Sequence, residues 1–235
     1  MSDFLATLIQ KGIEQYNNAI TVLSMPLTCQ NGKENMKIFK YNIDFKSFLR
    51  KRPKTINDNF GVSFVTGYQG SGKTYLGVLI LVKYIEPNRK IYTNIKSLNI
   101  PGRKIEYFEK LDEITDNVEM DRVYLIDEIS KRYTKECKQD KKFYSWLQQS
   151  RKRRRTTILI TQEYIQIPFW LRGIARYVYT TTKFPLFPIF RTYKGYAYLS
   201  EDTKEWEIEP EEVYIYKRNK YICSYYDTME PINVL

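Results

Sequence analysis

Apolar and polar positions along the chain fall into short strand-like runs separated by helical ones. Residues 62–66 (Val-Ser-Phe-Val-Thr) form a β-rich run that passes into a glycine loop at 67–72. Tyr75, Leu76, Val78, Leu79, Leu81 and Val82 then recur at the spacing of a helix over 73–84. A second strand is predicted at 90–95 and a short helix at 107–115. The unbroken apolar run 123–126 reads as a strand buried on both faces. A helix over 141–151, a buried strand at 157–161 and another strand at 176–182 complete this stretch. Strands alternating with helices predict an α/β fold, a parallel sheet flanked by helices.

The flanks read differently. Phe4, Leu5, Leu8, Ile9, Ile13, Tyr16 and Ile20 predict an amphipathic helix over 3–20, and 37–45 alternates like an edge strand before the basic cluster Lys51-Arg52-Pro53-Lys54. Beyond Lys183, Phe184-Pro185-Leu186-Phe187-Pro188 interrupts the pattern. Tyrosine-rich alternating segments at 192–199, 205–208 and 213–216 predict an antiparallel β extension, ending in a segment at 221–228. The expected organisation is an N-terminal helix and basic edge segment (1–59), a core (60–182) and a β-rich C-terminal extension (183–235).

Composition narrows the chemistry. Of 235 residues, 43% are hydrophobic and 15% aromatic, enough for a real core. No apolar run approaches the roughly 18 residues that span a bilayer, and Met1-Ser2-Asp3-Phe4 does not open a signal peptide. Cys29, Cys137 and Cys223 have no paired spacing and fit a reducing compartment. These features lead to the expectation of a soluble, cytoplasmic protein. The chain has no histidine, so histidine-based catalysis and the usual Cys/His zinc sites are excluded. Carboxylates, lysines, arginines, amides and a bound metal must do the work. A net charge of +11 favours a polyanionic partner, nucleic acid or an anionic membrane, although a lysine-rich composition inherited from an AT-rich genome gives the same balance.

Gly67-Tyr68-Gln69-Gly70-Ser71-Gly72-Lys73-Thr74 satisfies G-x-x-x-x-G-K-[ST] between a predicted strand and a predicted helix. Glycines allow successive backbone N–H groups to turn around an anion, and the helix N-terminus adds partial positive charge. These residues, with Tyr75 at the helix start, are expected to line the phosphates of ATP. Lys73 is expected on the β and γ phosphates and the Thr74 hydroxyl on Mg²⁺. The apolar strand Val123-Tyr124-Leu125-Ile126 ends in Asp127 and Glu128. Asp127 is expected to hold Mg²⁺ through water, and Glu128 to polarise the attacking water.

With this loop, the Asp-Glu strand end and a later strand ending Ile158-Leu159-Ile160-Thr161-Gln162, the chain resembles the FtsK–HerA superfamily of ATPases. More narrowly, it resembles the Zot-like filamentous-phage assembly ATPases and the small viral genome-packaging ATPases. Thr93-Asn94-Ile95 at the end of the second strand, Ile126-Asp127-Glu128, and Arg151 and Arg172 on either side of Gln162 carry the narrower likeness. The resemblance implies a RecA/ASCE-like P-loop fold, with Gln162 sensing the γ-phosphate or its water. It also implies a homo-oligomeric ring, usually a hexamer, in which an arginine acts across the interface; Arg151 and Arg172 are the candidates. Nucleic acid, most simply DNA, is the implied partner, and a virion or portal protein is a further candidate. Two departures are visible. No membrane-spanning helix follows the ATPase region, and Arg151-Lys152-Arg153-Arg154-Arg155 replaces the usual Arg-His-x-Gly stretch. Both lean away from membrane extrusion and towards packaging or another soluble motor.

Overall fold

The structure, a computed structural model, describes residues 60–117, 119–183 and 189–227. The helix predicted over 3–20, the alternating stretch at 37–45, the Lys51–Lys54 cluster and the Phe184–Pro188 interruption lie outside the described residues.

An eight-stranded sheet organises the described chain, in the order β3-β2-β4-β5-β1-β6-β7-β8. The strands are β1 (Gly61–Thr66), β2 (Ile91–Thr93), β3 (Ile105–Tyr107), β4 (Val123–Ile126), β5 (Thr156–Ile160), β6 (Tyr177–Lys183), β7 (Ile189–Leu199) and β8 (Trp206–Lys217). The first six pair in parallel, while β7 and β8 return antiparallel. Helices α1 (Lys73–Lys83), α2 (Leu111–Thr115), α3 (Lys141–Gln148), α4 (Phe169–Arg172) and α5 (Lys220–Cys223) flank it.

Alternation along the strands builds two cores. Val62 and Phe64 of β1, Tyr124 and Ile126 of β4 and Leu159 of β5 join α2 and α3 in one cluster. Val65, Val123, Leu125, Ile158 and Ile160 join α1 in the other. Every residue of β4 is fully buried, the outcome expected of a continuous apolar run between two helical layers. Each such side chain contributes about 1.5–3 kcal/mol by leaving water.

The predicted strands at 62–66, 123–126, 157–161 and 176–182 lie within a residue of those observed. The stretch 107–115 differs. Residues Ile105–Tyr107 form strand β3 by pairing in parallel with Ile91–Thr93, and only Leu111–Thr115 is helical. Three residues are too few to carry a period-two signal, so the neighbouring strand decides. The predicted helix over 141–151 starts on the Asp140 side chain, which accepts a bond from Phe143 N–H at 3.0 Å, and ends early at Gln148. The segments predicted at 205–208 and 213–216 merge into the single strand β8. Pro210 sits within β8, where a register shift at Lys194/Gly195 of β7 and the edge position of β8 accommodate its missing N–H.

Candidate functional site

All parallel strands end on the same side of the sheet, and the two motifs meet there. The chain leaves β1 through a loop in which Gly67, Gly70 and Gly72 have positive φ, and α1 begins directly after Gly72. The loop curls on itself: Ser71 N–H donates to the Tyr68 carbonyl at 3.0 Å, and Lys73 Nζ donates to the same oxygen at 3.1 Å. Two neighbouring strands hold it in place. Gly67 N–H donates to the Gln162 carbonyl beyond β5 at 2.9 Å, and Thr181 Oγ1 of β6 donates to the Ser71 carbonyl at 3.2 Å. Tyr68, Gln69 and Gly70 are exposed, with Tyr68 at 74%. The Ser71 hydroxyl is buried, with no hydrogen-bond partner among the described residues.

Strand β4 stands one strand away from β1, with β5 between them, and delivers Asp127 to the loop. Thr74 Oγ1 donates to Asp127 Oδ2 at 2.8 Å. Asn94, just after β2, clamps the Asp127 backbone from the other side: Asn94 Nδ2 donates to its carbonyl at 2.9 Å, and its N–H donates to Asn94 Oδ1 at 2.8 Å. Glu128 N–H then donates to Asp127 Oδ1 at 2.8 Å. Glu128 itself takes the left-handed conformation (φ 55°, ψ 41°). For a residue with a Cβ this costs on the order of 1–3 kcal/mol, a strain often found at functional positions. Its carboxylate pairs with Lys131.

Electrostatics follow from this enclosure. Burial pushes the Lys73 ammonium down from its usual range, while Asp127 and Glu128 pull it back up. Burial likewise pushes the Asp127 carboxyl up, opposed by the bonds from Thr74 and Glu128 N–H. A carboxyl raised in the folded state adds stability below its unfolded range, and that stability is lost as pH rises through the folded value. The ligand-free fold therefore bears a cost for enclosing this carboxyl wherever it is ionised. Asp127→Asn is expected to raise Tm at pH 7 and to abolish the added stabilisation by Mg·ATP. Thermal melts with and without Mg·ATP check this; a lower Tm for the ligand-free variant contradicts it.

These residues fit Mg²⁺ and a triphosphate. Among the described residues there is no cluster of three or more His, Cys, Asp or Glu. A magnesium ion needs none, because one carboxylate, a hydroxyl, waters and the nucleotide's own phosphates complete its shell. Thr74 and Asp127 are the pair that would hold it. The inward loop, Lys73 and the unmatched Ser71 hydroxyl suit the phosphates.

Other expected residues are placed as follows. Gln162 lies two residues beyond β5, beside the loop, bonded to it through its carbonyl and exposed. The Tyr75 ring turns into the core, stacked on Phe190 at 5.2 Å and Tyr216 at 6.0 Å, and its hydroxyl accepts from Asn219 N–H. Only its backbone is left to serve the loop. Neither arginine candidate meets the phosphate loop of its own chain. Arg151 is exposed in the turn leading into β5, at the strand starts, since Gly61 pairs with Thr156 there. One strand length, roughly 17–20 Å, separates it from the loop. Arg172 is 1% exposed, and its Nη1 lies 2.8 Å from Glu205 Oε2. Within the basic run, Arg155 is also buried. It donates to the Asn117 and Glu119 carbonyls at 3.3 Å and lies 5.0 Å from the Trp146 ring, so it serves the core and is not presented to a partner.

Three contributors escape sequence reading as members of the site: the Asn94 clamp, Lys131 on Glu128, and the Phe190 ring, which packs so close to Gly72 that a Cβ there would lie 2.5 Å away. Asn94 was visible as part of a pattern but without a role. Phe190 and Lys131 depend on packing and turn geometry that no local signal encodes.

The structure is similar to several solved ones. The N-terminal domain of zonular occludens toxin from Neisseria meningitidis is 19% identical, covering 71% of this chain and 98% of that one, with a TM-score of 0.55. The genome packaging NTPase B204 from Sulfolobus turreted icosahedral virus 2, in complex with sulfate, is 13% identical, covering 68% and 96%, with a TM-score of 0.46. The flagellar accessory protein FlaH from Methanocaldococcus jannaschii is 10% identical, covering 67% and 90%, with a TM-score of 0.42. At these identities the toxin-domain likeness speaks for the α/β P-loop fold. No curated protein sequence matches. The family described as zonular occludens toxin (Zot) matches residues 61–231, spanning the loop, the Asp-Glu strand end and the β7–β8 hairpin. The chain belongs to the zonular occludens toxin (Zot) family.

Proposed function

We propose that the protein is an ATP-hydrolysing motor that moves nucleic acid, with viral genome packaging as its setting. The single observation that carries the hydrolytic part is the 2.8 Å bond from Thr74 to Asp127, which joins the phosphate loop to the carboxylate strand across β5. Bound Mg²⁺ would neutralise charge on the β and γ phosphates. Lys73 and the loop amides bind and orient the triphosphate. Glu128 accepts a proton from the attacking water, and Gln162 reports the state of the γ-phosphate to the adjoining strand. An arginine from a neighbouring subunit of a ring, hexameric by resemblance, would add charge to the transferring phosphate, an effect on the order of 10³-fold or more. Arg151 is exposed and available for this; Arg172 would first have to leave Glu205.

The motor part is supported by the resemblance to FtsK–HerA ATPases and by a net charge of +11, which suits sequence-blind binding to phosphates. Among the described residues no helix is long and apolar enough to cross a membrane. A second reading compatible with family membership is a phage morphogenesis ATPase that drives virion assembly or export and answers to a partner protein or lipid.

Steady-state ATP turnover, followed with oligomeric mass, separates the two. DNA is expected to stimulate turnover at low salt, and the stimulation to collapse between about 50 and 200 mM salt as released counterions are repaid. Equal rates with and without DNA at low salt count against the motor and turn attention to a coat protein or lipid.

A further inference from the structure

The turn after β4 folds back over the site. Glu128 opens a 3-10 turn, Ile129–Lys131, closed by a 2.9 Å bond from Lys131 N–H to the Glu128 carbonyl. Its left-handed backbone and the three-residue spacing bring the Lys131 ammonium onto the Glu128 carboxylate as an ion pair, with both side chains partly exposed. The carboxylate expected to act on water is thus held by a cation of its own turn.

Lys131 also lines a cavity of about 470 Å³ between this turn and the segment that follows β5. Ser130, Thr134, Lys135, Gln162 and Gln166 share the wall, together with Glu136 and Ile165. Two ammonium groups, two hydroxyls and two carboxamides line it beside the Glu136 carboxylate, with the Gln166 amide donating to Glu163 at 2.8 Å and Lys131 paired with Glu128. Lys135 is only loosely engaged, with Glu205 3.9 Å away. Such a set suits a phosphodiester, which accepts hydrogen bonds on every free oxygen. The cavity is lined both by the partner of Glu128 and by Gln162, the residue expected to sense the γ-phosphate.

We propose that this cavity takes a backbone phosphate of nucleic acid, and that Lys131 passes from Glu128 to that phosphate, so that the base is restrained without nucleic acid and released with it. This rests on Glu128 acting as the base. Lys131 is a positioning residue: it acts through Glu128 and sets how often that carboxylate is free.

Lys131→Met, Lys131→Arg and the wild type distinguish the outcomes, with a single-stranded oligodeoxynucleotide as the probe and inorganic phosphate as the control anion. Releasing a partly exposed ion pair is expected to raise the DNA-free kcat of Lys131→Met roughly three- to five-fold at unchanged KM for ATP. Stimulation by the oligodeoxynucleotide is expected to be lost in that variant. Lys131→Arg is expected to restore the low DNA-free rate. A damaged fold lowers the rate, so a rise cannot come from misfolding. Independently of turnover, the double variant Lys131→Met/Lys135→Met is expected to bind a fluorescent oligodeoxynucleotide several-fold more weakly. A DNA-free rate at or below wild type in Lys131→Met, full DNA stimulation in that variant, or unchanged binding by the double variant overturns the proposal. Equal stimulation by inorganic phosphate overturns the nucleic-acid identity of the occupant. Absence of turnover in the wild type defeats the hydrolytic reading itself, wild-type turnover in Glu128→Gln removes Glu128 as the base, and in either case the binding arm still tests the cavity.

Discussion

Glu128→Gln is expected to bind Mg·ATP about as tightly as the wild type and to turn it over 10²–10⁴-fold more slowly, roughly the span attributed to a positioned general base. The amide is nearly isosteric and leaves the contacts of the loop intact: Thr74 still meets Asp127, and Asn94 still clamps its backbone. What disappears is the ability to take a proton. The ion pair with Lys131 disappears as well, so the variant cannot be rescued by nucleic acid. Lys73→Ala is the informative comparator. It removes the half-buried ammonium that the loop encloses and that Asp127 and Glu128 attract, so binding and turnover are expected to fall together. A fluorescent ATP analogue for affinity and single-turnover hydrolysis for chemistry separate the two patterns. Sustained turnover by purified Glu128→Gln removes this residue from the role of base.

Gly67→Ala carries the largest expected structural effect. Gly67 has φ 147°, a conformation that side-chain-bearing residues rarely adopt, and a Cβ there would lie 2.3 Å from the Thr181 carbonyl oxygen and 2.5 Å from Ser71 Oγ. The first of these neighbours is backbone of β6 and cannot swing aside. Backbone strain and overpacking together are expected to cost about 3 kcal/mol or more. For a chain of this size that lowers Tm by on the order of 6–12 °C. Gly70 provides the contrast, because its φ of 74° is left-handed but nothing lies within 4 Å of a Cβ placed there. Gly70→Ala is therefore expected to melt within a few degrees of the wild type, with any loss of ATP binding arising from the left-handed loop backbone it must adopt and not from a clash. Thermal melts combined with nucleotide titration distinguish the two glycines. A Gly67→Ala protein that melts with the wild type contradicts the packing described for the loop.

Much of the parallel core was legible because its signals are local and strong. Residues 123–126 are apolar without interruption, and such a run has only one stable place, between two helical layers. The loop at 67–74 combines glycines, a lysine and a hydroxyl in an order set by the shape of a phosphate chain, and it sits where a strand hands over to a helix. Segments whose conformation depends on a neighbour were less legible. Ile105–Tyr107 is a strand because β2 offers it an edge, and the two short runs around Pro210 are one strand because β7 shifts register opposite them.

Local chemistry in the chain thus determined the class of fold and where the glycine loop and the acid-tipped strand lie, because short-range spacing alone specifies a strand-to-helix glycine turn and a buried strand with acids at its end. Tertiary structure alone decided the rest. It turned Tyr75 inward onto Phe190 and Tyr216, enclosed Arg155 and Arg172 among carbonyls and a carboxylate, and set Asn94 against the Asp127 backbone. Whether a charged or aromatic residue faces water, a ligand or the core depends on which distant elements pack beside it, and that is a property of the assembled sheet.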